Sequence, residues 1–178
     1  DDSEGDESFV CLLARKLGLP CKVGYPENPK CGPDEGVLRK DRLGFYAKQV
    51  KQNGSMHIIQ GHNLDDIAET LLWRIPRGVS VDGLISPQAV SQVGCLSFLR
   101  PFVTLSRQFI RVALKNCSIP WREDASNQEN EYLRNRMRNL VLPKWTEASD
   151  RDLLQGVAQT VDLLSQDSKA LEHFAEES

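Results

Sequence analysis

The chain has 178 residues, 40% hydrophobic and 26% charged, with a formal net charge of −3, a size that allows one ordinary domain with an appended helical lobe. It shows no internal repeat, no low-complexity segment, no signal-peptide pattern and no apolar run long enough to span a bilayer. Five cysteines without a C-x-x-C pair argue against a disulfide framework or a zinc site, and a reducing cytoplasm is the simplest home.

Residues 8–17 alternate apolar and charged side chains at helical period and predict a helix stopping at Gly18, with a short strand over 19–23. Residues 25–33, rich in proline and glycine, predict a loop. From 34 to 51 the pattern is helical again, with Val37, Leu38, Phe45 and Val50 apolar and Gly54 at its end. Residues 56–59 predict a short buried strand, and after it Leu64, Ile67, Ala68, Leu71, Leu72 and Ile75 recur at helical spacing. This rhythm predicts a parallel sheet with covering helices. Further helices are expected over 106–115, 131–142 and 150–176, the last with an apolar stripe of Leu153, Val157, Val161, Leu164 and Leu171.

The strand-to-helix turn carries the densest chemistry, G-H-N-L-D-D-I-A-E-T over residues 61–70. Gly61 would let the backbone turn sharply, Asn63 is the candidate N-cap, and Asp65, Asp66 and Glu69 fall in the first turns, where the positive end of the helix dipole favours carboxylates. Asp65 and Glu69 share a face. Acids there can simply complement the dipole. Adjacent acids after a strand at the carboxyl end of a parallel sheet also suit Mg²⁺ near a nucleotide phosphate.

Charge is unevenly spread. Residues 100–145 hold nine Lys and Arg against four Asp and Glu, whereas residues 146–178 hold two against eight. The basic stretch also carries Phe102, Phe109, Trp121 and Tyr132, and guanidiniums beside aromatics suit phosphates and unstacked bases of single-stranded RNA. On a helix Arg134 and Arg138 share a face, while Arg136 points roughly 160° away. Salt bridges to Glu123, Glu129 or Glu131 are the competing use of these arginines.

Several motifs stand in a familiar order. Glu35, Arg39 and Arg42 fit E-x-x-x-R-x-x-R, and residues 61–70 fit [AG]-H-x-x-D-D-x-A-E-T. Arg74, Arg77-Gly78 and Gly83-Leu84 follow, then Arg100-Pro101-Phe102 with Ser106-Arg107. Last come Pro120-Trp121-Arg122-Glu123-Asp124 with Ser126-Asn127, and Arg134-Asn135-Arg136 with Arg138 and Leu142-Pro143. Together they resemble the tRNA(Ile)-lysidine synthetases, N-type ATP pyrophosphatases of the PP-loop superfamily, over nearly the whole chain.

The resemblance implies an α/β fold with a Rossmann-like parallel sheet and covering helices, its N-terminal strands missing, followed by a helical lobe. Its parts would be a partial PP-loop ATP pyrophosphatase domain over 1–105, a basic helical tRNA and active-site segment over 106–145, and a connector helix over 146–178. It implies a ligase that uses ATP and Mg²⁺ to adenylate the wobble cytidine of tRNA(Ile) bearing a CAU anticodon, after which L-lysine displaces AMP to give lysidine. Asp65 and Asp66 would be the acidic pair near Mg²⁺ and the reacting phosphates, and His62 would position or polarise the phosphoryl group or the activated base. Gly61, His62, Arg74 and Gly78 would contact ATP. Glu69, Arg77, Arg122, Asp124, Asn127, Arg134, Asn135, Arg136 and Arg138 would face the tRNA substrate. A cytoplasmic enzyme without membrane association is expected, with a homodimer left open.

The chain departs from the pattern in lacking the S-G-G-x-D-S phosphate loop, which makes it read as an internal fragment expected to bind ATP poorly. Gln108-Phe109 and Asn139-Leu140 replace commoner pairs, and Pro76 interrupts the motif helix. The alternatives are a noncatalytic tRNA-binding remnant and another PP-loop tRNA-modifying enzyme such as a 2-thiolase.

Overall fold

The computed structural model describes residues 3–26, 35–124 and 132–176. The chain divides into two compact units, one of residues 1–58, 92–98 and 122–124, the other of residues 59–91, 99–121 and 125–178.

In the first unit, helix α1 (Ser3–Lys16) has Glu4 and Asp6 in its first turn and Arg15 and Lys16 in its last, both favourable to the helix dipole. It ends where glycine allows it. Gly18 takes φ 67°, and the amides of Gly18 and Leu19 donate to the carbonyls of Arg15 and Ala14, closing the helix in a Schellman motif. The strand expected over 19–23 does not form. Residues 19–26 are irregular, since a strand requires a hydrogen-bonded neighbour and the described sheet is built from three other segments. They are held against α1 by side chains instead, the Tyr25 hydroxyl donating to the Glu7 carboxylate at 3.1 Å. Helix α2 (Glu35–Asn53) ends at Gly54, φ 67°. Its Phe45 ring lies so close to Gly24 that any side chain there would begin 2.6 Å from Cδ2, and its Tyr46 ring meets Phe98 at 6.4 Å between centroids.

The sheet has three strands, β1 (His57–Ile59), β2 (Val90–Val93) and β3 (Leu96–Leu99), in the order β1-β3-β2. The Ser97 amide donates to the Met56 carbonyl and the Gln60 amide to that of Leu99, so the paired residue numbers rise together and β1 runs parallel to β3. The β2–β3 hairpin was not expected. Its turn falls at Gly94, φ 59°, and it adds an antiparallel edge, making the sheet mixed. Leu96 and Phe98 are buried on either side of the more open Ser97, whereas Ile59 on β1 is 73% exposed, so the strand at 57–59 forms without the burial expected of it.

In the second unit, helix α3 (Leu64–Arg74) gives way at Pro76 to a single 3-10 turn, Ile75–Arg77, closed by Gly78 at φ 63°. A short helix α4 (Val81–Ile85) follows, capped by Ser80. Helix α5 (Arg107–Asn116) is capped by Ser106, whose Oγ accepts from the Phe109 amide at 3.1 Å. Helix α6 (Leu133–Arg136) runs through a π-helical segment, Met137–Val141, into α7 (Leu142–Ala148). Pro143 explains the widening: it has no amide to give the Asn139 carbonyl, and its ring would clash with that oxygen in a regular α-turn. Helix α8 (Leu153–Glu176) closes the unit.

The core follows the predicted stripe on α3. Leu64, Ile67, Ala68 and Leu71 pack with Leu142 of α7 and with Leu153 and Val157 of α8. Ile75, beyond the break at Pro76, is 53% exposed. Residues expected only to connect therefore complete the packing of the motif helix. Lower down α8, Ser168 donates to the Asp82 carboxylate at 2.7 Å, while Leu171 is exposed. Among the described residues no helix is long and apolar enough to cross a membrane.

Candidate functional site

The N-terminus of α3 forms as its sequence predicts. Asn63 is the N-cap, its side chain accepting from the Asp66 amide at 3.2 Å while Asp66 Oδ2 accepts from the Asn63 amide at 2.9 Å, a reciprocal capping box. Gly61 is not in the left-handed region and a side chain there would meet open space, so the turn does not depend on glycine. His62 lies half-buried beside the cap. The Leu64 amide donates to the Leu105 carbonyl at 2.9 Å, which ties the start of α3 to the approach to α5.

Three arginines from distant parts of the chain converge on the three acids. The Arg107 backbone amide donates to Asp65 Oδ2 at 2.7 Å, and its guanidinium reaches Glu69 Oε1 at 3.0 Å. Arg134 bridges two acids, Nε to Glu69 Oε2 at 3.0 Å and Nη2 to Asp66 Oδ1 at 2.8 Å. Arg138 grips Glu69 through Nε at 2.6 Å and Nη2 at 2.9 Å, the two-point geometry that suits guanidinium and carboxylate. The sharing of one face by Arg134 and Arg138 is thus realised, both reaching Asp66 and Glu69, while Glu129 and Glu131 lie outside the described residues. Arg136 is exposed and Asn135 buried.

Glu69 is the centre of this cluster, and its side chain has no exposed surface. Burial alone would raise its carboxyl, but the hydrogen bond and charge of Arg138, the hydrogen bond of Arg107 and the charge of Arg134 together hold it below the ordinary glutamate value. Reciprocally, hydrogen bonding to Glu69 raises Arg138 against the opposing effect of burial. Three carboxylates against three guanidiniums make the cluster formally neutral. Arg134 is the most open of the three cations, with 37% of its side chain exposed against 26% for Arg107 and 19% for Arg138.

These carboxylates do not fit a resident divalent cation. Asp66 uses one oxygen on the cap and the other on Arg134, and both Glu69 oxygens are taken by guanidiniums. Only Asp65 Oδ1 is spared a close contact, 4.0 Å from Arg107. Among the described residues no group of three His, Cys, Asp or Glu side chains could hold a metal.

The remaining expected site residues lie elsewhere. Arg74 donates to the carbonyls of Gly83 and Ser86, binding the C-terminal end of α3 to the loop around α4. Arg77 donates to the Trp73 carbonyl and lies over its ring, 4.2 Å from the centroid, next to the exposed Gly78. Arg122 pairs with Asp6 at 2.5 Å within the first unit, where Asp124 is exposed. Asn127 lies outside the described residues. Arg107 is the member that sequence reasoning left without a role. The available signals were its place directly after the N-cap Ser106 and in the Ser106-Arg107 motif, and nothing in its spacing points to acids 38 and 42 residues away.

The model of a family described as a PP-loop domain matches residues 1–145. The chain is 35% identical over 162 residues to the tRNA(Ile)-lysidine synthase of Solibacter usitatus, covering 90% of this chain and 36% of that protein. It is 33% identical over 181 residues to that of Symbiobacterium thermophilum, with 99% and 37% covered, and 30% identical over 167 residues to that of Thermosynechococcus vestitus, with 93% and 48% covered. The chain thus spans between about a third and a half of the length of these relatives.

Proposed function

The chain belongs to the PP-loop domain family, and on that premise we propose that it is the nucleotide-handling part of an ATP-dependent tRNA-modifying ligase that forms lysidine on tRNA(Ile). The observation carrying this reading is the acid–arginine cluster at the mouth of α3, with the curated relatives named for that reaction in support. In the proposed sequence the C2 oxygen of the wobble cytidine attacks the α-phosphorus of ATP and pyrophosphate leaves. The amine of L-lysine then attacks C2 and AMP leaves, a proton being lost from the amine.

Adenylation of this kind is promoted by positioning and by neutralising charge on the phosphates. Arg134 would be the cation to do this, its greater exposure supporting an exchange of Asp66 for a phosphate oxygen while Arg138 and Arg107 keep Glu69 neutralised. His62 beside the cap would position the phosphoryl group or the base, next to Asp65 with its one open oxygen. Arg136, exposed on α6, would face the anticodon region of a tRNA with CAU.

The test is pyrophosphate release by the natural gene product containing these residues, with ATP, lysine and tRNA(Ile) transcripts bearing CAU or GAU. Release that requires the CAU transcript, and that falls at least tenfold in Arg134→Ala with the fold intact, supports the reading. Release indifferent to the transcript sinks it. A second reading, a noncatalytic tRNA-binding remnant, is favoured by guanidiniums already spent on Asp66 and Glu69, and would show as CAU-transcript binding without pyrophosphate release.

A further inference from the structure

Two thiols unrelated to the acid–arginine cluster lie in contact in the first unit. Cys11 sits within α1 and Cys21 within the irregular segment that returns along it, and their sulfurs are 3.5 Å apart. Both are free thiols, Cys21 exposed and Cys11 half-buried. The segment is held in place on either side of the pair, at one end by the Schellman closure at Gly18 and at the other by the Tyr25–Glu7 hydrogen bond. The sulfurs thus face each other across an anchored loop in which neither sheet ladder nor buried core resists the small closing movement that a bond requires.

The geometry points to Cys11 and Cys21 as a reversible dithiol–disulfide site, oxidised by exchange with a low-molecular-weight disulfide. The exposed Cys21 thiolate attacks one sulfur of that reagent, forming a mixed disulfide and releasing one small thiolate. Cys11 then attacks Cys21 Sγ, the Sγ–Sγ bond forms, and the second small thiol leaves. Two protein thiols are oxidised, one reagent disulfide is reduced, and the two protons lost by the protein end on the two released thiols. The product ties residue 21 to α1 in place of a contact that side chains alone now make.

The experiment titrates the whole folded chain with mixtures of reduced and oxidised glutathione, followed by acid quench, digestion and mass spectrometry. A Cys11–Cys21 linked peptide is expected at ratios where the exposed Cys95 and Cys117 carry at most mixed adducts, and it should vanish on return to reducing conditions. In Cys11→Ser the glutathione adduct on Cys21 should persist, because its resolving partner is gone. Separate adducts on Cys11 and Cys21 with no linked peptide would overturn the assignment. So would a Cys21–Cys31 link, or a Cys11–Cys21 link found only in denaturant.

Discussion

The two ends of helix α3 are built from the same kind of interaction and reach it by opposite routes. At the N-terminal end the helix supplies acids, and their arginine partners come from 38 to 72 residues away in the chain. At the C-terminal end it supplies Arg74, its neighbour Arg77 follows in the next turn, and the carbonyls they hold come from 4 to 12 residues away. Both arrangements favour the helix dipole. One end is therefore a long-range junction that joins the starts of α3, α5 and α6, whereas the other is a local clasp whose partners all lie within residues 64–86.

The comparison can be broken most forcefully at Glu69. Glu69→Ala leaves three guanidiniums around an apolar hole, and loss of one partner from a buried ion pair costs about 3–5 kcal/mol. Urea denaturation should show that loss, and a change below about 1 kcal/mol would mean that the junction does not organise the unit. Next in size is Arg138→Met, which keeps volume while removing the two-point grip, with an expected cost of about 2–4 kcal/mol. Its effect should depend on pH. Because the arginines hold the Glu69 carboxyl low, its stabilisation is complete above the ordinary glutamate value and is lost as pH falls through the lowered folded value. Without Arg138 that acid limb should move to higher pH, and an unshifted limb would show that other groups control it.

Smaller effects sharpen the contrast at the clasp. Arg74→Ala removes charge-assisted bonds to two carbonyls and should cost about 1.5–3 kcal/mol, measurable as a lower urea midpoint without altered acid sensitivity. Arg77→Ala removes a surface contact with Trp73 and should cost under about 1 kcal/mol, read best as a small shift in Trp fluorescence and midpoint. If the Arg74 and Arg77 variants instead changed the acid limb as Arg138→Met does, the two ends would be coupled and the division into junction and clasp would fail.

Legibility in the sequence follows the same division. The Asn63 cap, the stripe from Leu64 to Leu71, the helix break at Pro76 and the stops at Gly18 and Gly54 rest on contacts within a few residues, and all could be read beforehand. The strand expected over 19–23 failed because five residues of suitable composition do not supply a pairing partner. The β2–β3 hairpin was passed over although S-Q-V-G-C-L-S-F carries period-two alternation around Gly94, a signal weakened by its polar members. In the cluster the acids were legible as a group and Arg134 with Arg138 as a face, while Arg107 was not, since its pairing depends on how α5 is brought to α3. The exchange of Arg122 with Asp6, 116 residues apart, was hidden for the same reason.

The seating of α8 sets a different boundary from the one the family comparison draws. The PP-loop match ends at residue 145, yet Leu153 and Val157 lie beyond it and are 8% and 4% exposed against the back of the motif helix. Cut at residue 145, the polypeptide would present more of Leu64, Ile67 and Leu71 to water as a sticky apolar strip. Such a piece would be prone to self-association and a poor template for ligand screening or crystallisation. The family model's match and the packed core thus end at different residues, and the longer piece is the one to express.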